Sequence, residues 1–106
     1  MTADTIIHRL HAQSRTRPNA PAYYEKIGSA WVPTPWHTYV DQVRQAARAL
    51  LTLGLQPGDT VCILGFNRPE WAIMQLAAMA IGGAGAGIYT TNSPSEVQYI
   101  IEHAGA

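Results

Sequence analysis

The stretch from Thr60 to Ala106 constrains this chain more than any other. An apolar run, "TVCILGF", leads into "NRPEW", then into "IGGAGAGIYTT", then into "SPSEV". The first run is apolar on both faces and reads as a strand inside a parallel sheet. Asn67 is placed to cap the following helix, with Pro69 in its first turn and Glu70 at the positive end of its dipole. That helix extends to about Ile81 and is apolar nearly all round, which predicts burial on most sides. "AGIYTT" reads as a second parallel strand. Ser93 to Glu96 is a capping box, and the helix it opens presents Val97, Ile100, Ile101 and Ala104 on its apolar face until Gly105 ends it. Strand, helix, strand, helix is the opening of a right-handed α/β layout. The expectation is an α/β fold with an incomplete three-layer parallel-sheet (βαβα) unit. The last helix has no strand following it, so the chain is expected to be cut short within a larger domain.

Upstream, residues 5–14 read as a short helix capped by Asp4, with Ile6, Ile7 and Leu10 on a narrow apolar face and "TRPNAP" ending it. "AYYEKIGSAWVP" predicts a β-hairpin turning at Gly28-Ser29. "TPWHTYVDQVRQAARALLTLGLQPGD" is the clearest helix, with Tyr39, Val43, Ala47 and Leu50 at helical spacing. Thr34 with Pro35 offers an N-cap. Gly54 suits the left-handed C-terminal position, and Gln56 to Asp59 form a turn.

Composition sets the surroundings. Of the 106 residues, 47% are hydrophobic, enough for a core. Only 13% are charged, against about 25% in ordinary soluble domains, so part of the surface is expected to be covered by more protein. Seven basic and seven acidic residues give no net charge. The cations are scattered, which argues against nucleic-acid binding. Cys62 is the single cysteine; its apolar run makes it a buried hydrophobe, and a reducing, cytoplasmic setting is the default. Trp71 to Ile88 imitates a membrane span, being eighteen residues with Gln75 as its one strongly polar side chain. The glycines and the lack of cationic flanks favour a buried helix followed by a strand, with no transmembrane segment and no role for Gly83 and Gly87 in helix dimerisation.

Four of the nine glycines fall between Gly82 and Gly87, which raises the question of a phosphate loop. Gly83 and Gly85 fit the first two positions of G-x-G-x-x-G, but the third falls on Ile88. The order is also reversed, with a helix before the glycines and a strand after, so the carbonyl end of a helix would face the phosphate. No Gly-Lys-Ser/Thr occurs anywhere. The glycines therefore read as a helix stop and a place of close backbone approach. His8 and His11 share a helix face without a carboxylate or thiol to complete a metal site. His37 and His103 read as surface positions near helix ends, and Glu70 and Glu96 are accounted for by helix starts. Trp31, Trp36 and Trp71 are either core and interface anchors or the walls of an acyl pocket, the former being commoner. The residues give no catalytic, cofactor-binding or metal-binding position.

"LGLQPGD", "NRPEW", the glycine–alanine stretch and "IYTTNSPSEVQYIIEHA", in that order, resemble the N-terminal part of adenylate-forming (AMP-binding) acyl-CoA synthetases, in particular the long-chain fatty-acid group. "NAPAYYEK" and the helix opening at Trp36 are similar more loosely. The family often opens that helix with Thr-Trp-x-Glu, where this chain has Pro35-Trp36-His37-Thr38. The resemblance implies a parent ligase that uses ATP, magnesium and CoA on a fatty acid, forming acyl-adenylate and then acyl-CoA. It implies that residues 1–106 are the first part of the large N-terminal domain, with 1–35 as helix and hairpin and 36–106 as helix plus the start of the sheet. The family's phosphate loop, ribose-binding aspartate, hinge and catalytic lysine match no position here, so the implied role is scaffold. Some members pair through N-terminal segments, so the resemblance admits a homodimer, and an unfinished sheet edge points to self-association as well. Two other readings stand beside this one. One is a stand-alone flavodoxin-like binding or assembly module. The other is a piece of a related ligase acting on aryl or amino acids.

Overall fold

A computed structural model describes residues 4–106. Helix α1 spans Ile6–Thr16, strands β1 and β2 span Pro21–Ile27 and Ala30–Pro35, and helix α2 spans Trp36–Thr52. Then follow β3 (Thr60–Leu64), α3 (Pro69–Ala80), β4 (Ala84–Ile88) and α4 (Pro94–Ala104). The order is the expected helix, hairpin, helix and βαβα unit, and the fold is α/β. β1 and β2 pair antiparallel around Gly28, whose φ of +64° suits the two-residue turn. β3 and β4 pair parallel in a separate two-stranded sheet, Thr60 opposite Ala84 and Leu64 opposite Ile88.

The starts of α1, α2 and α3 depart from the expected caps, whereas α4 starts at its expected Ser93. Thr5 caps α1, its Oγ1 accepting from the His8 N–H at 3.2 Å. Asp4 instead grips the Arg9 guanidinium with both oxygens, at 2.8 and 2.9 Å. The helix runs on to Thr16, two residues past Ser14. Thr34 stays in β2 opposite Tyr23, and Pro35 occupies the cap of α2 without a side-chain bond. No side-chain cap is needed there. The Trp36 N–H donates to the Ala20 carbonyl at 3.0 Å and the His37 N–H to the Pro18 carbonyl at 3.1 Å, so the preceding loop satisfies the first-turn donors. Arg68, not Asn67, takes the cap of α3, again without a side-chain bond, and Pro69 follows as the first helical residue.

Helix ends follow the sequence. At Gly54 and at Gly82 the chain turns left-handed, with φ of +94° and +83°. At each end two crossed bonds close a Schellman motif: Gly54 to Leu51 and Leu55 to Leu50, then Gly82 to Met79 and Gly83 to Ala78.

Two hydrophobic clusters hold the helices together. One joins Leu10 of α1 to Val40 and Val43 of α2, with Ile7, Trp36, Tyr39, Ile73 and Leu76 around them. The other joins Ala47 and Leu50 of α2 to Ala77 and Ala78 of α3, with Leu55, Val61, Met74 and Ile81 against it. The two alanines are fully buried, and their small side chains let α2 and α3 approach closely. The hairpin is tied to α2 by Tyr23, whose ring meets Tyr39 edge-on at 5.1 Å and whose hydroxyl donates to Gln42 at 3.0 Å. Burial, and then the neighbouring Tyr23, raises the Tyr39 pKa.

The strand pair is less enclosed than the apolar runs predict. Ile63 and Ile88 are buried, but Cys62 is only half-buried and Leu64 is exposed. Side chains alternate along a strand, so Cys62 lies on the sheet face away from Val61, which packs into the second cluster. Cys62 is thus not the core residue its run suggested. β4 begins at Ala84 and ends at Ile88, earlier than "AGIYTT" implied, so Gly85 and Gly87 belong to the strand itself while Gly82 and Gly83 precede it. α4 buries no residue, and Ile101 falls outside its half-buried face.

A cleft at the carboxyl ends of the parallel strands

The level register of β3 and β4 makes both strands stop at one edge, so residues 65–68 and 89–93 leave the sheet side by side. In open α/β sheets, ligands bind outside the carboxyl ends of the strands. A cleft of about 590 Å³ lies there. Gly65, Phe66 and Asn67 line it after β3, Trp71 comes from the first turn of α3, and Gly87 to Thr90 close it from β4. No charged side chain lines it; Asn67, the Tyr89 hydroxyl and Thr90 supply its polar groups. Phe66 and Tyr89 are 73% and 79% exposed, an unusual presentation of large rings at one edge.

The loop after β4 is held by its own side chains. The Tyr89 N–H donates to Asn92 Oδ1 at 2.9 Å, and the Asn92 N–H returns to the Tyr89 carbonyl at 3.0 Å. The capping box then fixes the start of α4. The Ser93 N–H donates to Glu96 Oε1 at 2.7 Å, and the Glu96 N–H donates to Ser93 Oγ at 3.3 Å. The backbone bond from Ser93 is the main cause holding the Glu96 carboxyl below the usual range. Glu96 is thereby committed to the helix start, as its spacing predicted.

Steric contact answers the question of the glycines. A Cβ at Gly83 would sit 2.6 Å from the Asp59 carbonyl oxygen, one at Gly85 3.0 Å from Gln75 Cγ, and one at Gly87 3.1 Å from Trp71 Cζ2. These residues let α3 lie against β4 and let β4 start beside Asp59. Close approach is their role at this point of the fold.

The three tryptophans are not brought together. Trp36 packs in the core with Tyr39, and Trp71 lines the strand-end cleft. Trp31 is 66% exposed and lines a separate groove of about 700 Å³ between the hairpin and the start of α3. The other singled-out residues are also dispersed. His8 Nδ1 is 2.7 Å from Thr5 Oγ1, His103 stacks on Tyr99 at 5.6 Å, and Glu70 pairs with Arg68 at 3.4 Å. Among the described residues no three His, Cys, Asp or Glu side chains gather as a metal site. With no phosphate-loop lysine in the sequence either, these residues do not fit ATP or magnesium, and no step through either is assigned to them. Of the residues that form the cleft, Phe66 stands in no motif, and Tyr89 and Thr90 belong to the stretch that carries the family resemblance without any site role read from it. The available signal was positional: they are the first residues past two parallel strands.

The chain matches the family model for AMP-binding enzymes over residues 10–106. It is 42% identical over 85 residues to long-chain-fatty-acid–CoA ligase ACSBG2 of Gallus gallus, a match covering 80% of this chain and 11% of that protein. Against the ACSBG2 of Rattus norvegicus it is 45% identical over 84 residues, 79% of this chain and 13% of that protein. The chain thus spans only a small part of the length of the relatives it matches. Among solved structures, a Mycobacterium tuberculosis fatty acyl CoA synthetase superposes with a TM-score of 0.87 at 26% identity, covering 95% of this chain and 20% of that one.

Proposed function

The chain belongs to the AMP-binding enzyme family, and from that premise we propose that it is a structural part of an ATP-dependent long-chain fatty-acid–CoA ligase. The observation that carries this reading is the identity of 42–45% to two long-chain ligases over about four-fifths of the chain. The reaction proposed for the whole protein joins a fatty acid to CoA while ATP becomes AMP and pyrophosphate, with magnesium on the phosphates. Residues 4–106 contribute no nucleophile, base or phosphate donor to it. They supply the rigid α2–α3 layer and one wall of a ligand cleft. Within the large domain, residues 1–35 are the helix and hairpin, and 36–106 are the helix and the first strands of the sheet. The absence of any helix long and apolar enough to cross a membrane among the described residues, together with a free Cys62, supports a cytoplasmic enzyme.

Fatty-acid-dependent exchange of pyrophosphate into ATP tests this reading. The full-length protein is expected to catalyse it with long-chain acids, and residues 1–106 alone are expected not to. Failure of the full-length protein with every fatty acid offered would sink the proposal. Sedimentation equilibrium of residues 1–106 should also show self-association, because the β3–β4 pair has an unpaired outer edge on each strand. A monomer at high concentration would contradict that part.

A further inference from the structure

We infer that Trp71 is the floor that fixes the depth of the strand-end cleft, and that Gly87 is the positioning residue that lets the indole lie there. The inference rests on the ligase reading above, since it assigns the cleft a ligand. The indole is flanked by two glycines with unequal clearance. A Cβ at Gly65 would meet Trp71 Cδ1 at 3.8 Å, an ordinary contact, whereas one at Gly87 would meet Cζ2 at 3.1 Å. Neither glycine has a positive φ, so alanine is compatible with the backbone at both. A methyl at position 87 therefore acts on the indole, pushing it by a few tenths of an ångström, while a methyl at 65 does not. The other lining side chains are Phe66, Ile88 and Tyr89, with Asn67 and Thr90 offering hydrogen bonds and no charge. An apolar, uncharged lining with few polar groups receives an extended, uncharged chain. In the proposed reaction two substrates carry such a chain: the fatty acid, and CoA through its thiol-bearing arm.

Initial rates of the full-length ligase distinguish them, with fatty acid and CoA varied separately. Gly87→Ala is expected to raise KM for one or both by about tenfold, the usual effect of one methyl group in a fitted pocket, with kcat nearly kept. Trp71→Phe added to Gly87→Ala should restore KM, because the smaller ring yields the space. Gln98→Ala, on the exposed face of α4 and outside the cleft lining, should leave both constants unchanged. Unaltered KM for both substrates in Gly87→Ala, or a loss that Trp71→Phe does not rescue, would overturn the assignment. If the wild-type protein forms no acyl-CoA, the ligase reading fails, and the cleft is tested without turnover. The Trp71 indole N–H resonance should shift on adding dodecanoate or CoA, and no shift with either would overturn the inference.

Discussion

Helix α2 buries Val40, Val43, Ala47 and Leu50, yet its start has no side-chain cap. Helix α4 has a complete capping box at Ser93 and Glu96 and a left-handed glycine at its end, yet buries no residue. α2 is thus defined by what packs on it, and α4 by bonds within its own chain. Capping residues act over three or four positions and write a helix boundary into the local sequence. Burial depends on neighbours brought from elsewhere. A helix can therefore be fully legible and almost unpacked, as α4 is, with Tyr99 65% and Ile101 38% exposed.

The largest expected effect breaks this comparison at its packed end. Leu50 is 5% exposed and joins α2 to α3, so Leu50→Ala should cost about 2–5 kcal/mol. Ile100, half-buried on α4, should cost about 1 kcal/mol or less when cut to alanine. Urea unfolding of the two variants gives the ranking. Equal losses would mean that α4 is as integral to the fold as α2.

A second test sits where the two regions join. Gly83 follows α3 and precedes β4, and a Cβ there would lie 2.6 Å from the Asp59 carbonyl oxygen and 3.2 Å from that of Ala78. Both oxygens already accept backbone bonds, from the Ala84 and Gly83 N–H groups at 3.0 and 2.9 Å. Neither can retreat freely, so Gly83→Ala should destabilise by about 2–3 kcal/mol. Gly28→Ala in the hairpin turn meets nothing within 4 Å and suffers only its φ of +64°, a cost of about 1–2 kcal/mol. Thermal unfolding of the pair compares steric blockage with backbone strain. A smaller loss at Gly83 than at Gly28 would refute the close-approach account of the glycine run.

The same contrast explains what the sequence revealed of the fold. Element order, the Gly28 turn, the stops at Gly54, Gly82 and Gly105 and the capping box were all readable, because each is set by neighbours in the chain. The misplaced features were those completed from a distance. Thr34 was unneeded as a cap because carbonyls of Pro18 and Ala20 serve α2. The apolar run around Cys62 points to the core, yet the residue lies half-buried on the less covered face of a two-stranded sheet. The cleft is not legible because Phe66 and Thr90 line one space only when β3 and β4 align. The contact of Gly87 with Trp71 is likewise invisible before α3 is laid on β4.

The smallest expected effect is on α4 alone, and it carries a sign. The Glu96 carboxyl is held below its ordinary pKa, first by the Ser93 backbone bond and then by the Ser93 side chain. A carboxyl lowered by folding contributes stability above its unfolded pKa, and that contribution is lost as pH falls through the folded value. The start of α4 should therefore loosen as pH drops below the ordinary glutamate range. Because α4 buries nothing, the loss should appear in its own amide hydrogen exchange, corrected for intrinsic rates, and hardly in global unfolding. Asp4 is lowered in the same way by its bond to Arg9, so α1 responds in the same direction and the wild-type profile mixes both ends. Glu96→Gln separates them: it should flatten the acid response of α4 and leave that of α1. A response of α4 that persists in the variant would mean that its start is stabilised by something other than the box. The contrast drawn with α2 would then fail on the α4 side.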